Sequence, residues 1–253
     1  MARVIAVTNQ KGGVGKTTTA VNLAACLAEA GFEVLLVDMD PQANASAGLG
    51  VRAADPRLTS YGLLGGAVSV AEATVRTAVD HLWLLPACPD LAGAVVELAD
   101  ADGNEYVLDY ALTARLDAYD FVFIDCPPSL GVLTINSLVA AREVLIPVQS
   151  EYYALEGLAQ LLETVALVQE HLNPELRILG VVVTMYDGRT RLGREVAGEV
   201  RENLPQFVFQ TVIPRNVRLS EAPSHGLPIS RYDATCVGSD AYFDLAKEVV
   251  SRD

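Results

Sequence analysis

The chain has 253 residues, of which 51% are hydrophobic and 20% charged, and 18 basic residues against 32 acidic ones give a formal net charge of −14. A chain of this length and apolar content buries a large core without disulfides, which excludes a disordered or fibrous protein. It contains no run of about 18 apolar residues, and the apolar stretch at 1–7 is too short for a secretion signal. We therefore expect a soluble, cytoplasmic protein.

Short apolar runs alternate with helical segments along the chain, which predicts a mostly parallel, twisted sheet with helices on both faces. The predicted strands are 4–7, 34–37, 82–85, 121–124, 144–148, 178–184 and 210–213. The predicted helices are 17–30, two within 90–118, 154–171 and 239–251, whereas 41–80 is assigned to loops and short helices. No linker or repeat divides the sequence, so we expect a single α/β domain over 1–253.

A glycine-rich segment follows the first predicted strand and opens the first predicted helix; it reads Lys11-Gly12-Gly13-Val14-Gly15-Lys16-Thr17-Thr18. Strand, loop and helix in this order are the context of a phosphate-binding P-loop, whose backbone N–H groups turn toward phosphate oxygens. We expect Lys16 to contact the β- and γ-phosphates of a nucleotide and the Thr17 hydroxyl to ligate Mg²⁺. Gln10 stands where the usual pattern has glycine, so the segment matches the variant KGGxGK[ST], which adds Lys11.

Two other predicted strands end on aspartates, in the segments Asp38-Met39-Asp40-Pro41-Gln42 and Asp125-Cys126-Pro127-Pro128. Ligands of open α/β sheets bind at the carboxyl ends of the strands. Carboxylates there hold Mg²⁺ through water and orient an attacking water, and we assign the metal contacts to Asp40 and Asp125. The alternative is that a carboxylate only caps the following turn, and this applies most to Asp38.

Basic residues are concentrated late in the chain. Residues 177–231 hold eight arginines against five acids, a balance of +3, which leaves −17 for the rest of the −14 total. An acidic protein is repelled by nucleic acid as a whole, but a local basic face acts within about one Debye length, roughly 8–10 Å. The candidates for phosphate contacts are Arg189, Arg191, Arg194, Arg215 and Arg218. For each of them the alternative is a solvated surface charge or a salt bridge.

The segments 11–18, 38–42 and 124–128 together resemble the deviant Walker A ATPases of the ParA/MinD group. Two more, 151–158 and 213–224, resemble the chromosomal ParA, or Soj, type, and the resemblance covers essentially the whole chain. It implies a P-loop NTPase fold and a DNA-segregation ATPase with weak intrinsic activity. ATP with Mg²⁺ would drive a sandwich homodimer that binds double-stranded DNA without sequence preference on the nucleoid. A ParB-type centromere-binding partner would stimulate hydrolysis.

The same resemblance implies roles for individual residues. Lys11 would reach the nucleotide of the partner subunit, with Gly12 at the contact between the chains, and Asp40 would position the hydrolytic water. Pro214 and Asn216 match a Pro-x-Asn segment that contacts adenine, and an amide suits that base edge. The DNA contacts would come from Arg189 and Arg218, with Arg215 as a further candidate.

Three other functions are compatible with such motifs. A MinD-like membrane switch would need a basic amphipathic C-terminal helix, but residues 240–253 hold two basic and four acidic residues. An ATP-driven electron donor of the nitrogenase iron-protein type would need cysteines that ligate a cluster, and the four cysteines include no CxxC pair. The third alternative is an amidotransfer or ligase enzyme of the same fold.

Overall fold

A computed structural model describes residues 2–99, 102–151 and 154–252, without the side chains of 154–156. Within these residues eight strands form one sheet in the order β3-β4-β2-β5-β1-β6-β7-β8, and all neighbouring pairs are parallel except β3 with β4. The strands are Arg3–Val7 (β1), Val34–Asp38 (β2), Val75–Arg76 (β3), Leu82–Leu85 (β4), Phe121–Asp125 (β5), Glu143–Gln149 (β6), Arg177–Tyr186 (β7) and Val208–Pro214 (β8). The predicted mostly parallel sheet is confirmed.

Helices lie between most consecutive strands, and further helices follow β8. They are Lys16–Glu29 (α1), Asn44–Gly48 (α2), Ser60–Leu64 (α3), Val70–Ala73 (α4), Leu91–Leu98 (α5), Val107–Thr113 (α6), Val132–Ala140 (α7), Ala154–His171 (α8), Arg191–Asn203 (α9), Val217–Glu221 (α10), Ile229–Tyr232 (α11) and Val237–Ser251 (α12). The sequence analysis assigned no element to α7, α9, α10 or α11, and it placed the edge strand β3 among loops and short helices. These five elements were not predicted.

Both faces of the sheet are covered by helices, as predicted. Phe123 belongs to the apolar cluster that contains residues of α1 and α12, and the next residue, Ile124, belongs to the cluster on the opposite face, which contains residues of α5 to α9. Successive residues of a strand point to opposite faces, so all five residues of β5 are buried. This is why the central strands are continuous apolar runs in the sequence.

The C-terminal helix α12 packs its apolar face into the core, where Tyr242, Leu245 and Val249 are buried. Just beyond it, the Arg252 guanidinium donates hydrogen bonds to three backbone carbonyls at 2.9–3.0 Å and lies 3.8 Å from the centre of the Phe209 ring. The apolar side of this helix is therefore already occupied by the protein's own core. In the part of the chain that the structure describes, no helix combines the length and apolar character needed to cross a bilayer.

Candidate nucleotide site

The strand register brings the predicted site residues to one edge of the sheet. Asp38 at the end of β2 pairs in register with Asp125 at the end of β5, and Val7 at the end of β1 pairs with Asp125 from the other side. The glycine-rich segment 11–15 follows β1 and leads directly into α1. The three sequence segments that carry aspartates or glycines are therefore neighbours at the carboxyl ends of the strands.

The P-loop is held by two side chains, Thr184 in β7 and Asn9 just after β1. Thr184 in β7 donates from its hydroxyl to the Val14 carbonyl at 2.8 Å. Asn9 donates to the Pro147 carbonyl in β6 at 2.8 Å and accepts the Lys11 backbone N–H at 3.0 Å. Gly13 and Gly15 have φ angles of 76° and 87°, which residues with a Cβ rarely adopt. The loop conformation is thus fixed by the chain's own contacts.

Both lysines of the loop have partners in the chain itself. The Lys16 ammonium donates to the Lys11 carbonyl at 3.0 Å, and burial lowers the Lys16 pKa, an effect opposed by the nearby Asp125. The Lys11 ammonium forms an ion pair with Glu151 at 2.8 Å, and Gln149 donates to the other Glu151 oxygen at 2.6 Å. In the isolated chain Lys11 is therefore held by its own subunit.

Asp38 is fully engaged by hydrogen bonds. One carboxylate oxygen accepts from the Ser46 N–H at 2.8 Å and the Ser46 hydroxyl at 2.7 Å, and the other accepts from the Asp40 N–H at 3.1 Å. Burial raises the pKa of Asp38 to about 6, although the bonds from Ser46 act against that rise. These contacts favour the alternative stated from the sequence, in which Asp38 holds the turn.

Asp125 shows the opposite pattern. It is 0% exposed, yet neither of its carboxylate oxygens has a hydrogen-bond partner among the described residues. Burial raises the pKa of Asp125 well above its ordinary value and the neighbouring Asp38 charge raises it further, although the nearby Thr17 hydroxyl and Lys16 ammonium act against that rise. Unpaired buried carboxylates are costly, and one that lies near Lys16 and the loop hydroxyls fits a divalent cation with its water ligands. The residues present therefore fit the expected Mg²⁺.

A cleft of about 740 Å³ opens above these residues. It brings together Lys16, Thr17, Asp40, Pro214 and Asn216, which lie far apart in the sequence. The other expected loop residues at the cleft are Gly12, Gly13, Gly15 and Thr18, whereas Lys11, Val14 and Asp125 are not part of its lining. Phosphate-binding, metal-binding and base-binding candidates thus share one cavity.

Asp40 and Asn216 are each partly engaged by the chain. Asp40 accepts the Gln42 N–H through one carboxylate oxygen at 2.9 Å and is largely buried at the cleft wall. The Asn216 side-chain oxygen accepts the Arg218 N–H at 2.8 Å and so caps α10. Its NH2 group remains as a donor for a base, and the amide oxygen, which has two lone pairs, can accept a second hydrogen bond, so the expected adenine contact stays a prediction.

The sequence analysis missed an apolar part of the cleft. Met185, Ile213 and Leu219 line it together with Pro223. Ile213, Leu219 and Pro223 belong to the segment 213–224 that carried the family resemblance, but no role was assigned to them. Met185 gave no signal, because nothing in the local sequence shows that β7 ends at the cleft. Tyr152 and Tyr153 of the segment 151–158 lie outside the described residues.

Most of the candidate DNA-binding arginines are paired with acids. Arg189 bonds Asp187 at 2.8 Å, Arg191 bonds Glu195 at 2.7 Å, and Arg218 lies 2.9 Å from Glu221 and 3.3 Å from Asp233. Arg194 donates to the Gly188 carbonyl at 2.6 Å. Arg215 is exposed, lines the cleft and makes no ion pair within the described residues. The region is therefore less basic than its arginine count indicates.

Comparisons with known proteins agree with this geometry. Residues 2–178 match the family model described as an AAA domain. The chain is 56% identical over 252 residues to the sporulation initiation inhibitor protein Soj of Bacillus subtilis (strain 168), covering 100% of both chains. It is 54% identical over 253 residues to the chromosome-partitioning ATPase Soj of Treponema pallidum (strain Nichols), covering 100% of this chain and 99% of that one. The chain belongs to the Soj/ParA family.

This membership confirms the resemblance seen in the sequence. Among solved structures, the chain is similar to cobyrinic acid a,c-diamide synthase from Mycobacterium smegmatis with bound ADP and magnesium, at 41% identity and a TM-score of 0.85. That match covers 98% of this chain and 93% of the other. The expected P-loop NTPase fold is therefore confirmed.

Proposed function

We propose that the chain is a chromosome-partitioning ATPase that binds ATP and Mg²⁺ in the cleft and changes its assembly state and DNA affinity with the nucleotide. The observation that carries this proposal is the buried Asp125 carboxylate, which is left without a hydrogen bond beside the buried Lys16 ammonium. The relatives named Soj, at 56% and 54% identity, favour partitioning over the ligase alternative, whose named neighbour is 41% identical.

The residues of the cleft divide the work of binding and hydrolysis. The N–H groups of the P-loop and the Lys16 ammonium bind the phosphates. Thr17 would hold Mg²⁺ directly, with Asp40 and Asp125 through water, and the ion would neutralise charge on the β- and γ-phosphates. Asp40 has one carboxylate oxygen fixed by the Gln42 N–H, which aims the group into the cleft to orient an attacking water.

Gly12 supports an ATP-dependent homodimer. Gly13 and Gly15 need glycine for their own φ angles, but Gly12 does not have a positive φ, and a Cβ built on it would meet nothing within 4 Å. The fold of one chain therefore does not explain this glycine, whereas close approach of a second copy does. Lys11 would leave Glu151 to contact the triphosphate of that copy, so ATP supplies the differential affinity that favours the dimer.

DNA binding would follow from dimerisation. Two copies double the basic region, and phosphates can displace exposed carboxylate partners because such pairs contribute only about 0–1 kcal/mol. Arg215 is available without breaking an ion pair, and Arg189 and Arg218 would join it by exchanging Asp187 and Glu221 for DNA phosphates. In this proposal the ATP-bound dimer is the form that associates with the nucleoid and that a ParB-type partner controls.

Gel retardation of non-specific duplex DNA with ATP, with ADP and without nucleotide tests the proposal, together with light scattering. We expect retardation and a doubled molar mass only with ATP and Mg²⁺. Lys16→Ala should lose both effects, and Asp40→Ala should keep the dimer while losing turnover. A molar mass that is the same with and without MgATP, at concentrations where the nucleotide is bound, would contradict the switch.

Single charge reversals test the DNA face. Arg218→Glu and Arg215→Glu should lose DNA retention while the ATP-dependent dimer persists. Arg115→Glu is the matched control, because Arg115 is also exposed but lies between α6 and β5, outside the basic region. Equal loss with all three variants would show a general charge effect instead of a binding face.

ATP consumption only in the presence of a carboxylic acid and an amide or ammonia donor would support the ligase alternative.

A further inference from the structure

Met185 has a backbone conformation that is unusual for its residue type. Its φ of 51° lies in the left-handed region, and only two other described residues besides glycine share this property, Ala43 and His81. A residue with a Cβ is unfavourable there, so such outliers persist where the surrounding structure enforces them.

The same residue lies in an irregularity of the sheet. Between β7 and β8 the register runs from Val183 with Val212 to Tyr186 with Pro214, which is three steps along β7 against two along β8. One extra residue is therefore accommodated in β7, as in a β-bulge whose left-handed position is usually glycine. Bulges re-aim the side chains that follow them, and this one lies at the edge of the cleft.

The two neighbours of Met185 contact two different segments at the cleft, the P-loop and the segment 214–216. The preceding residue, Thr184, donates to the Val14 carbonyl of the P-loop at 2.8 Å. The following residue, Tyr186, accepts the Arg215 N–H at 3.0 Å and so fixes the segment that contains Pro214 and Asn216. Without the extra residue, Tyr186 would not lie opposite Pro214, so its carbonyl would not be placed to accept the Arg215 N–H.

We propose that Met185 is a positioning residue for the nucleotide, and that its left-handed backbone sets the P-loop and the 214–216 segment at the spacing that one ATP molecule bridges. The inference rests on the proposed ATP site. It assigns the role to the backbone conformation and not to the thioether. Met185→Gly, which adopts a positive φ freely, therefore preserves the arrangement, and Met185→Val, which is β-branched, disfavours it.

The test compares the affinity for MgATP with the affinity for inorganic tripolyphosphate with Mg²⁺, measured by calorimetry. Tripolyphosphate contacts the P-loop alone, whereas ATP contacts both segments. We expect Met185→Val to weaken ATP binding about tenfold while tripolyphosphate binding stays within about twofold of the wild type. Met185→Gly also removes a side chain from the cleft lining, so its ATP affinity should fall by less than that of Met185→Val, while its tripolyphosphate affinity stays within about twofold of the wild type.

His81 provides the matched control, because its φ of 63° is also positive and it precedes β4, which lies next to the edge strand β3 on the other side of the sheet. His81→Val should lower the unfolding temperature without changing either affinity. The inference is overturned if Met185→Val binds ATP like the wild type, if it loses tripolyphosphate equally, or if Met185→Gly is as weak as Met185→Val. Wild-type protein that binds neither probe would overturn the proposed function itself.

Discussion

The two ends of the central strands treat a buried carboxylate in opposite ways. At the amino end of β6, Glu143 is 2% exposed and accepts from Arg3 at 2.9 and 3.1 Å and from Arg177 at 3.0 Å. At the carboxyl end of β5, Asp125 is 0% exposed and has no hydrogen-bond partner among the described residues. Both acids lie in the same sheet, so the difference reflects separate roles of its two ends, one structural and one in ligand binding.

The partners of a buried carboxylate distinguish a structural charge from a functional one. The charges around Glu143 form a closed ion-pair set, in which every charge has a partner. Arg3 also donates to the Val249 carbonyl at 2.8 Å, so this set connects α12 to the sheet. The Asp125 carboxylate has no such partners in the described part of the chain, and a buried charge without hydrogen bonds lowers stability unless a ligand supplies them. A buried acid without partners is therefore the better indicator of a site than burial or charge alone.

The largest expected effect is that of Asp125→Asn. The amide keeps the shape but removes the charge, so we expect MgATP turnover to fall on the order of 100-fold and magnesium-dependent ATP binding to weaken. The nucleotide-free protein should become more stable, because an uncompensated buried charge is removed. Turnover assays and thermal unfolding without nucleotide measure the two effects. A stability loss together with normal turnover would show that the comparison is wrong.

Glu143→Gln makes the same isosteric change at the other end of the sheet. It breaks a closed ion-pair set, so the free energy of unfolding should fall by about 2–4 kcal/mol, as measured by urea denaturation. ATP affinity of the folded protein should not change. A variant that unfolds like the wild type but binds ATP poorly would place Glu143 in the site instead of the scaffold.

The pH dependence of stability sharpens the same contrast. Burial raises the pKa of Asp38 to about 6 and that of Asp125 above its ordinary value, whereas an unfolded aspartate titrates near about 3.9. The folded state therefore holds these protons more tightly, and the stability they contribute below about pH 4 is lost as pH rises through the raised pKa values. Urea denaturation across this range should show a shallower decline for Asp125→Asn than for the wild type. Parallel curves would contradict the assignment.

The smallest expected effect is that of Arg177→Ala. The side chain of Arg177 is 57% exposed, and Glu143 keeps its two bonds from Arg3. We expect a loss of about 0.5–1 kcal/mol in the free energy of unfolding and no change in ATP affinity. A loss as large as that of Glu143→Gln would show that Arg177, and not Arg3, is the main partner.

Much of this arrangement could be predicted from the sequence. Buried parallel strands read as short apolar runs, so β1, β2, β4 and β5 were predicted within one residue of their observed bounds. Asp125 was expected to be near Mg²⁺ because it follows such a run. The sequence could not show that its oxygens lack partners, since that depends on side chains from other strands.

The missed features have physical reasons as well. Helix α9 was missed because it is rich in Arg and Glu. Its only helical signal is the spacing of its few buried residues, at 193, 196, 197 and 200. The +3 balance of 177–231 already includes Asp187, but counting charges could not show that Arg189 pairs with it, nor that Asp233, just outside this range, pairs with Arg218. The left-handed backbone at Met185 has no signature in a residue type that usually avoids it.

Glu248 in α12 accepts the N–H groups of Gln210 and Thr211 at 2.9 and 2.7 Å, along the strand that closes the sheet order at β8. Free N–H groups on an edge strand can pair with a strand of another molecule, and here the Glu248 carboxylate occupies two of them. Association of copies by extension of the sheet at β8 is therefore disfavoured. We expect a variant without the Glu248 carboxylate to aggregate more readily.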